Sequence, residues 1–182
     1  MGKVQKLSLL FILPAMAALH AAILSALIAI NTGWSLDTAE AISISDPDVA
    51  YARAEYYRSI DPEKSLQAWV KAASLRPLWP YYQLGALDAE VRLGVDDDAI
   101  QQRLQKVLDL APNERGLDAG IFELSLLRWQ ALSMAQKLTI AKKLNDTNRK
   151  TLVFALEVAQ QVQKKDLICG IVNPKRTRGL CY

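Results

Sequence analysis

A seven-residue segment recurs in the middle of this chain after an interval of 35 residues. The first copy is Lys71-Ala-Ala-Ser-Leu-Arg-Pro77 and the second is Lys106-Val-Leu-Asp-Leu-Ala-Pro112, with lysine, leucine and proline at matching places. An interval of this size, closed by proline, is typical of arrays of stacked helix pairs. One pair cannot bury its apolar face alone, so neighbouring pairs share a core. The recurrence therefore predicts an all-α chain built from helical repeats.

Capping signals place the predicted helices. Asp46-Pro47 and Asp61-Pro62 each set a capping acid before a proline at the first helical position, where a missing N–H does no harm. Gly94 closes one helix, and Ser133 with Gln136 forms a capping-box pattern that opens another. The helices predicted in this way cover residues 47–59, 62–75, 80–93, 97–110, 113–129, 133–144 and 149–164.

Apolar and small residues inside these helices favour the tetratricopeptide pattern. The first repeat has a small residue, a large aromatic residue and an alanine at the expected places in its second helix, Ser65, Trp69 and Ala72. The second repeat has only aliphatic residues there, so the array is degenerate. We predict a tetratricopeptide-like helical-repeat domain over residues 46–172, with an irregular helical bundle as the alternative.

The N-terminus contains 24 residues without a charge, Leu7 to Ile30. This length is sufficient for a transmembrane helix. A cleaved signal peptide is the alternative, but its apolar region would be shorter, and Ala39-Glu40-Ala41 is the nearest cleavage pattern. We therefore predict a cytoplasmic stub and membrane anchor over residues 1–30, with membrane contact through residues 7–30. Residues 31–45 should form a linker or an irregular helix extension.

Charges around the anchor predict its orientation. Lys3 and Lys6 precede the apolar run, whereas the first charges after it are Asp37 and Glu40. Because positive residues stay on the cytoplasmic side, the body of the protein should lie outside. We expect a single-pass protein of a bacterial inner membrane with a periplasmic C-terminal domain.

Composition and motifs argue against several functions. Beyond residue 30 the chain has 20 basic and 19 acidic residues, a balance unlike that of nucleic-acid-binding domains. It contains no common nucleotide-binding or catalytic motif, and its one histidine, His20, lies in the apolar run. Asp96-Asp97-Asp98 precedes a predicted helix, where acids serve as caps. We therefore expect no enzyme activity, cofactor or metal, and a glycan-active enzyme is the least favoured alternative.

The repeat predicts a binding surface on its concave face. The first helix of each pair lines that face, and residues about 34 positions apart stack along it. Arg58, Arg92 and Arg128 have nearly this spacing and could form a cationic stripe for an acidic partner, or could simply be solvated. Tyr57 and Tyr82 are expected beside this stripe. Trp79 lies in a turn between two prolines, where its ring could bind a partner or could cap the core between two repeats. These three aromatic residues complete the predicted partner-binding set.

The last part of the chain contains both cysteines, Cys169 and Cys181. A disulfide between them would be permitted in an oxidising compartment. Cys169 lies in an apolar segment, so a buried free thiol is the equal alternative. Residues 173–182 are predicted to form a basic C-terminal tail.

Two segments carry a family resemblance. The turn Arg76-Pro-Leu-Trp-Pro-Tyr81 and the later Asp166-Leu-Ile-Cys169, with a long helix containing Trp129 between them, resemble the VpsP-like polysaccharide biosynthesis proteins over roughly residues 51–172. The chain is also similar to helical-repeat regions attached to O-antigen polymerases and ligases. These resemblances imply an adaptor in biosynthesis, polymerisation or export of a cell-surface polysaccharide, bound to other membrane or periplasmic proteins. An adaptor of a pilus or secretion assembly is the alternative.

Overall fold

A computed structural model describes residues 3–181 of the chain, with side chains from residue 13 onwards. Every regular element in this part is helical, which confirms the predicted all-α class. The helices are α1 (Lys3–Ile30), α2 (Gly33–Ile42), α3 (Pro47–Tyr57), α4 (Pro62–Leu75), α5 (Pro80–Leu93), α6 (Asp97–Leu110), α7 (Asp118–Leu127), α8 (Met134–Asp146), α9 (Arg149–Gln161), α10 (Lys165–Ile171) and α11 (Pro174–Thr177).

Local capping explains why several boundaries match the predictions. The Asp46 side chain accepts a hydrogen bond from the Asp48 N–H at 2.8 Å, and that of Asp96 accepts from the Ala99 N–H at 3.0 Å. Gly94 ends α5 with φ of 69°, in the left-handed region that glycine adopts without strain. Ser133 and Gln136 form the predicted capping box at the start of α8.

The chain divides after Leu75 into two compact units. The N-terminal unit contains α1 to α4, and α1 is long and apolar enough to cross a membrane between Leu13 and Ile30. In this unit α3 and α4 pack as an antiparallel pair. The buried Ser65 hydroxyl donates to the Ala54 carbonyl at 2.8 Å, and Trp69 meets Tyr51 edge to face at 5.4 Å between ring centroids.

Residues 31–45, expected to form a linker or an irregular helix extension, contain the regular helix α2. Thr32 caps it through a reciprocal pair of hydrogen bonds with Ser35. Leu36 and Ala39 are fully buried, and the Arg53 guanidinium of α3 pairs with Asp37 and Glu40. This segment is therefore packed into the N-terminal unit.

The C-terminal unit contains α5 to α11 around one apolar core. Its fully buried side chains include Leu87 of α5, Ile100 of α6 and Phe122 of α7. An internal ion pair joins the first two helices, because Arg103 donates to both Glu90 oxygens at 2.8 Å. Arg103 also donates to the Gln83 side chain at 3.0 Å, so these buried polar groups are satisfied.

The third predicted helix pair departs from a regular repeat. Asn113 does not cap a helix that continues through Trp129; two 3-10 turns, Arg115–Leu117 and Trp129–Ala131, flank the shorter helix α7. Glu114 caps the first turn by accepting from the Gly116 N–H at 3.0 Å. Helix α7 packs chiefly against α9, which lies further along the chain than its expected partner α8.

Candidate functional site

The six residues predicted to bind a partner are divided between the two units. Tyr57 and Arg58 end α3 in the N-terminal unit, whereas the other four lie in the C-terminal unit. Those four are Trp79, Tyr82, Arg92 and Arg128.

Tyr57 lies half-buried at the end of α3, surrounded by cations. The Arg53 guanidinium is 5.6 Å from its ring centroid and the Lys64 ammonium is 5.4 Å away. A hydrogen bond from Lys64 to the Asp61 carboxylate raises the pKa of Lys64. Both distances allow a cation–π attraction. The Tyr57 ring therefore already contacts two cationic side chains of its own unit, and only the part of the ring that they leave exposed could contact a partner.

Tyr82 does not belong to an exposed surface. Its side chain is 5% exposed and lies in the first turn of α5, so Tyr82 is not exposed in the way that its prediction as a partner-binding residue requires. The reason is the helix period: Tyr82, Ala86 and Ala89 recur at three- and four-residue spacing along the buried face of α5. Its neighbour Tyr81 is the exposed tyrosine of this pair.

Each predicted arginine has a carboxylate partner in its own unit. Arg58 lies 3.6 Å from Glu55. Arg92 donates to Asp88 at 2.9 Å, and this hydrogen bond raises the pKa of Arg92.

Arg128 forms two hydrogen bonds within its own unit. It donates to the Asp97 carboxylate at 2.6 Å and to the Val95 carbonyl at 3.2 Å. Two acids of the Asp96-Asp97-Asp98 run therefore have structural roles: Asp97 pairs with Arg128, and Asp96 caps α6 as predicted. An acidic ligand would have to replace these carboxylates. Exposed ion pairs contribute only about 0–1 kcal/mol, so such an exchange is energetically accessible.

The turn that opens α5 exposes three large apolar side chains close together in sequence, among them Leu78, the most exposed large apolar residue described in the C-terminal unit. Leu78 is 79% exposed, Trp79 48% and Tyr81 42%, and the two rings lie 5.7 Å apart. We call these three side chains the aromatic turn. Pro80 fixes the backbone at the first helical position, and the Tyr81 hydroxyl packs against Gly116, where a Cβ would approach to 2.8 Å. Of these three residues, only Trp79 belongs to the partner-binding set predicted from the sequence.

Sequence reasoning also missed a polar groove of about 450 Å³ in the same unit. It lies beside Pro112 and the middle of α8, and its charged lining residues are Arg115, Asp118, Lys142, Lys143 and Asp146. Asp118 is buried and accepts from Lys143 at 2.8 Å and from the Thr147 hydroxyl at 3.2 Å. The charges are thus mixed, and the inner pair is already neutralised within the protein.

The end of the chain is fixed to α8. Cys169 and Cys181 form a disulfide with Cα atoms 5.9 Å apart, which is the first of the two alternatives left by the sequence. Between them, the Arg176 guanidinium donates to the carbonyls of Leu144, Asn145 and Thr147. It therefore satisfies carbonyl groups at the C-terminal end of α8, where a cation is favourable.

In the part of the chain that the structure describes, no three or more His, Cys, Asp or Glu side chains are grouped to hold a metal ion. Comparison of the chain with protein families, curated proteins and solved structures found no match in any of the three. The resemblance to the VpsP-like proteins therefore stays a prediction.

Proposed function

We propose that this protein is a membrane-anchored adaptor that acts by protein–protein binding in biosynthesis, polymerisation or export of a cell-surface polysaccharide. The observation that carries the binding role is the aromatic turn, in which Leu78 is largely exposed and Trp79 about half exposed, next to a proline that fixes the backbone. Tryptophan and tyrosine are enriched among residues that dominate binding energy at protein interfaces. The polysaccharide pathway comes from the family resemblance.

The same proposal places α1 across a bacterial inner membrane and the rest of the chain in the periplasm. Lys3 and Lys6 before the apolar run support this orientation. The disulfide between Cys169 and Cys181 supports it independently, because such bonds persist in oxidising compartments and are rare in the cytosol.

Helix pairing supports a degenerate tetratricopeptide-like origin for the domain. The pairs α3/α4 and α5/α6 each have a loop of a few residues and helices of similar length. Ser65, Trp69 and Ala72 are buried in the first pair, as the tetratricopeptide pattern requires. Ile100, Leu104 and Val107 are buried at the corresponding places in the second. The extended contact between α7 and α9 marks where the repeat pattern ends.

A genetic complementation experiment tests the function. Deletion should remove the surface polysaccharide and leave pili and protein secretion intact, and the wild-type chain should restore it. Leu78→Ser/Trp79→Ser should fail to restore it although the protein accumulates normally. The matched control is Met134→Ser/Leu138→Ser, because Met134 and Leu138 are 70% and 64% exposed in the same unit.

Other outcomes of this experiment would remove the proposal. Loss of pili or secretion, with polysaccharide intact, would assign the adaptor to a different envelope assembly. Equal restoration by both double variants would show that the aromatic turn is not the binding surface. If instead a variant that lacks one carboxylate of the polar groove, such as Asp146→Asn, failed to restore the polysaccharide while both double variants restored it, a glycan-active enzyme would be favoured.

A further inference from the structure

One face of the outer end of α1 is covered by protein, whereas Ile30 at the end of the helix is 56% exposed. Leu24 is only 7% exposed, whereas Leu13, Met16 and Leu19, nearer the N-terminus, are 63–66% exposed. Leu24 forms a small core with Ala39 of α2 and Val49 of α3, and Leu27 and Ile28 pack against the same core. Side chains that other helices cover are not available to lipid, so on the covered face of α1 lipid contact is limited to residues before Leu24.

Helix α2 runs back alongside α1. The chain reverses at Asn31, which has φ of 50°, and Leu24 and Ala39 lie at similar distances in sequence from that turn. If α2 continued away from α1, Ala39 could not reach Leu24. The end of α2 therefore points back along α1, toward the side where α1 enters the bilayer.

Contacts between α2 and α3 show the same antiparallel order. At the start of α2, a Cβ on Gly33 would lie 3.4 Å from the Tyr56 hydroxyl, near the end of α3. Near the end of α2, Glu40 pairs with Arg53 at 2.9 Å and with Lys71 of α4 at 2.6 Å. The α2–α3 loop is thus at one end of the N-terminal unit, and the α3–α4 loop is at the other.

Two isoleucines are exposed at the end that faces the bilayer. Ile42 ends α2 and is 44% exposed, and Ile44 in the following loop is 69% exposed. Ala39 lies beside Leu24, and Ile42 is three residues further on, or about 4.5 Å at the rise of an α-helix. Ile42 and Ile44 therefore lie at or below the level of Leu24 on α1.

The remaining apolar length fits a bilayer whose outer boundary is near Leu24. Residues 7–23 form 17 residues of helix, about 25 Å long, at the short end of the range that spans a hydrocarbon core. At that depth an exposed isoleucine pair meets the boundary between headgroups and acyl chains, where apolar side chains are favoured.

We infer that Ile42 and Ile44 form a membrane-contacting edge that inserts into the outer leaflet. The N-terminal unit then sits directly on the bilayer surface, fixed to α1 through the core of Leu24, Ala39 and Val49. Residues 24–49 contain no long linker between anchor and domain, because α1, α2 and α3 occupy this interval except for two short loops. This inference rests on the proposed membrane-spanning role of α1 and is independent of the partner.

Spin-label accessibility in vesicles tests this edge. Cysteine is introduced at one position of the full-length protein, as Ile44→Cys or Ile60→Cys, with the native disulfide left oxidised. The labelled protein is placed in vesicles of phosphatidylethanolamine and phosphatidylglycerol. The matched position is Ile60, which is 62% exposed in the α3–α4 loop at the opposite end of the unit. We expect the label at position 44 to be accessible to oxygen and several-fold less accessible to a water-soluble nickel complex than the label at position 60.

A label on a third variant, Leu19→Cys, tests separately whether α1 spans the bilayer and whether the edge of Ile42 and Ile44 contacts it. Nickel access to position 19 would show that α1 does not span the bilayer, which overturns the anchor and the inference together. Nickel access at position 44 equal to that at position 60, with position 19 protected, would overturn the inference alone. Strong dipolar broadening between labels at position 44 would overturn it as well, because a second copy of the chain would then cover the edge.

Discussion

Lys143→Met is expected to destabilise the C-terminal unit by about 3–5 kcal/mol, the usual cost of removing one member of a buried ion pair. The Asp118 side chain is 5% exposed and its Lys143 partner 11%, with 2.8 Å between Nζ and Oδ1. After the substitution Asp118 keeps only the Thr147 hydroxyl as a side-chain donor in the described structure. Urea unfolding of the full-length protein in detergent, followed by circular dichroism, measures the change.

Two control variants distinguish loss of the buried ion pair from loss of any lysine charge. Lys142→Met removes an exposed lysine one residue earlier and should change the free energy of unfolding by no more than about 0.5 kcal/mol. Asp118→Asn/Lys143→Met removes both charges and should recover part of the loss. Equal stability of the Lys143 and Lys142 variants would contradict the buried pair.

Trp69→Ala is expected to destabilise the N-terminal unit by about 3–5 kcal/mol, because it leaves a large cavity between α3 and α4. Trp69 is 6% exposed and packs edge to face on Tyr51. Such aromatic pairs contribute about 0.5–1.5 kcal/mol beyond the apolar area that they bury. The same urea titration, read through the helical signal of the full-length protein, measures the loss.

Trp34→Ala provides the control with the same chemical change in the same unit. Trp34 is 73% exposed on α2, so its removal in detergent should cost no more than about 0.5 kcal/mol. Similar losses for the two tryptophan variants would show that Trp69 is not the core residue of this helix pair.

Local chemistry made several helices predictable. Pro62, Pro80 and the acidic turn before Asp97 mark helix starts that depend on neighbouring residues alone, and the structure begins α4, α5 and α6 there. The buried face of α4 followed from the three- and four-residue spacing of Ser65, Trp69 and Ala72.

Features that depend on distant residues were not predictable. Residues 33–42 have a weak apolar pattern, and they pack into the N-terminal unit through contacts outside the segment, with α1 before it and with Arg53 of α3 after it. Tyr81 and Tyr82 are adjacent and chemically identical, so only the packing of α5 decides which is buried. The carboxylate partner of Arg128 lies 31 residues earlier in the chain, at Asp97.

In-cell photocrosslinking at position 79 tests the proposed adaptor most directly. A photoreactive phenylalanine analogue would replace Trp79 in the full-length tagged protein, and in a second strain it would replace Met134, which is more exposed in the same unit. We predict that position 79 crosslinks reproducibly to a glycosyltransferase, polymerase or export protein of a polysaccharide system, and that position 134 does not. Crosslinks of the same partner at both positions, or capture of pilus or secretion components from position 79, would contradict the account.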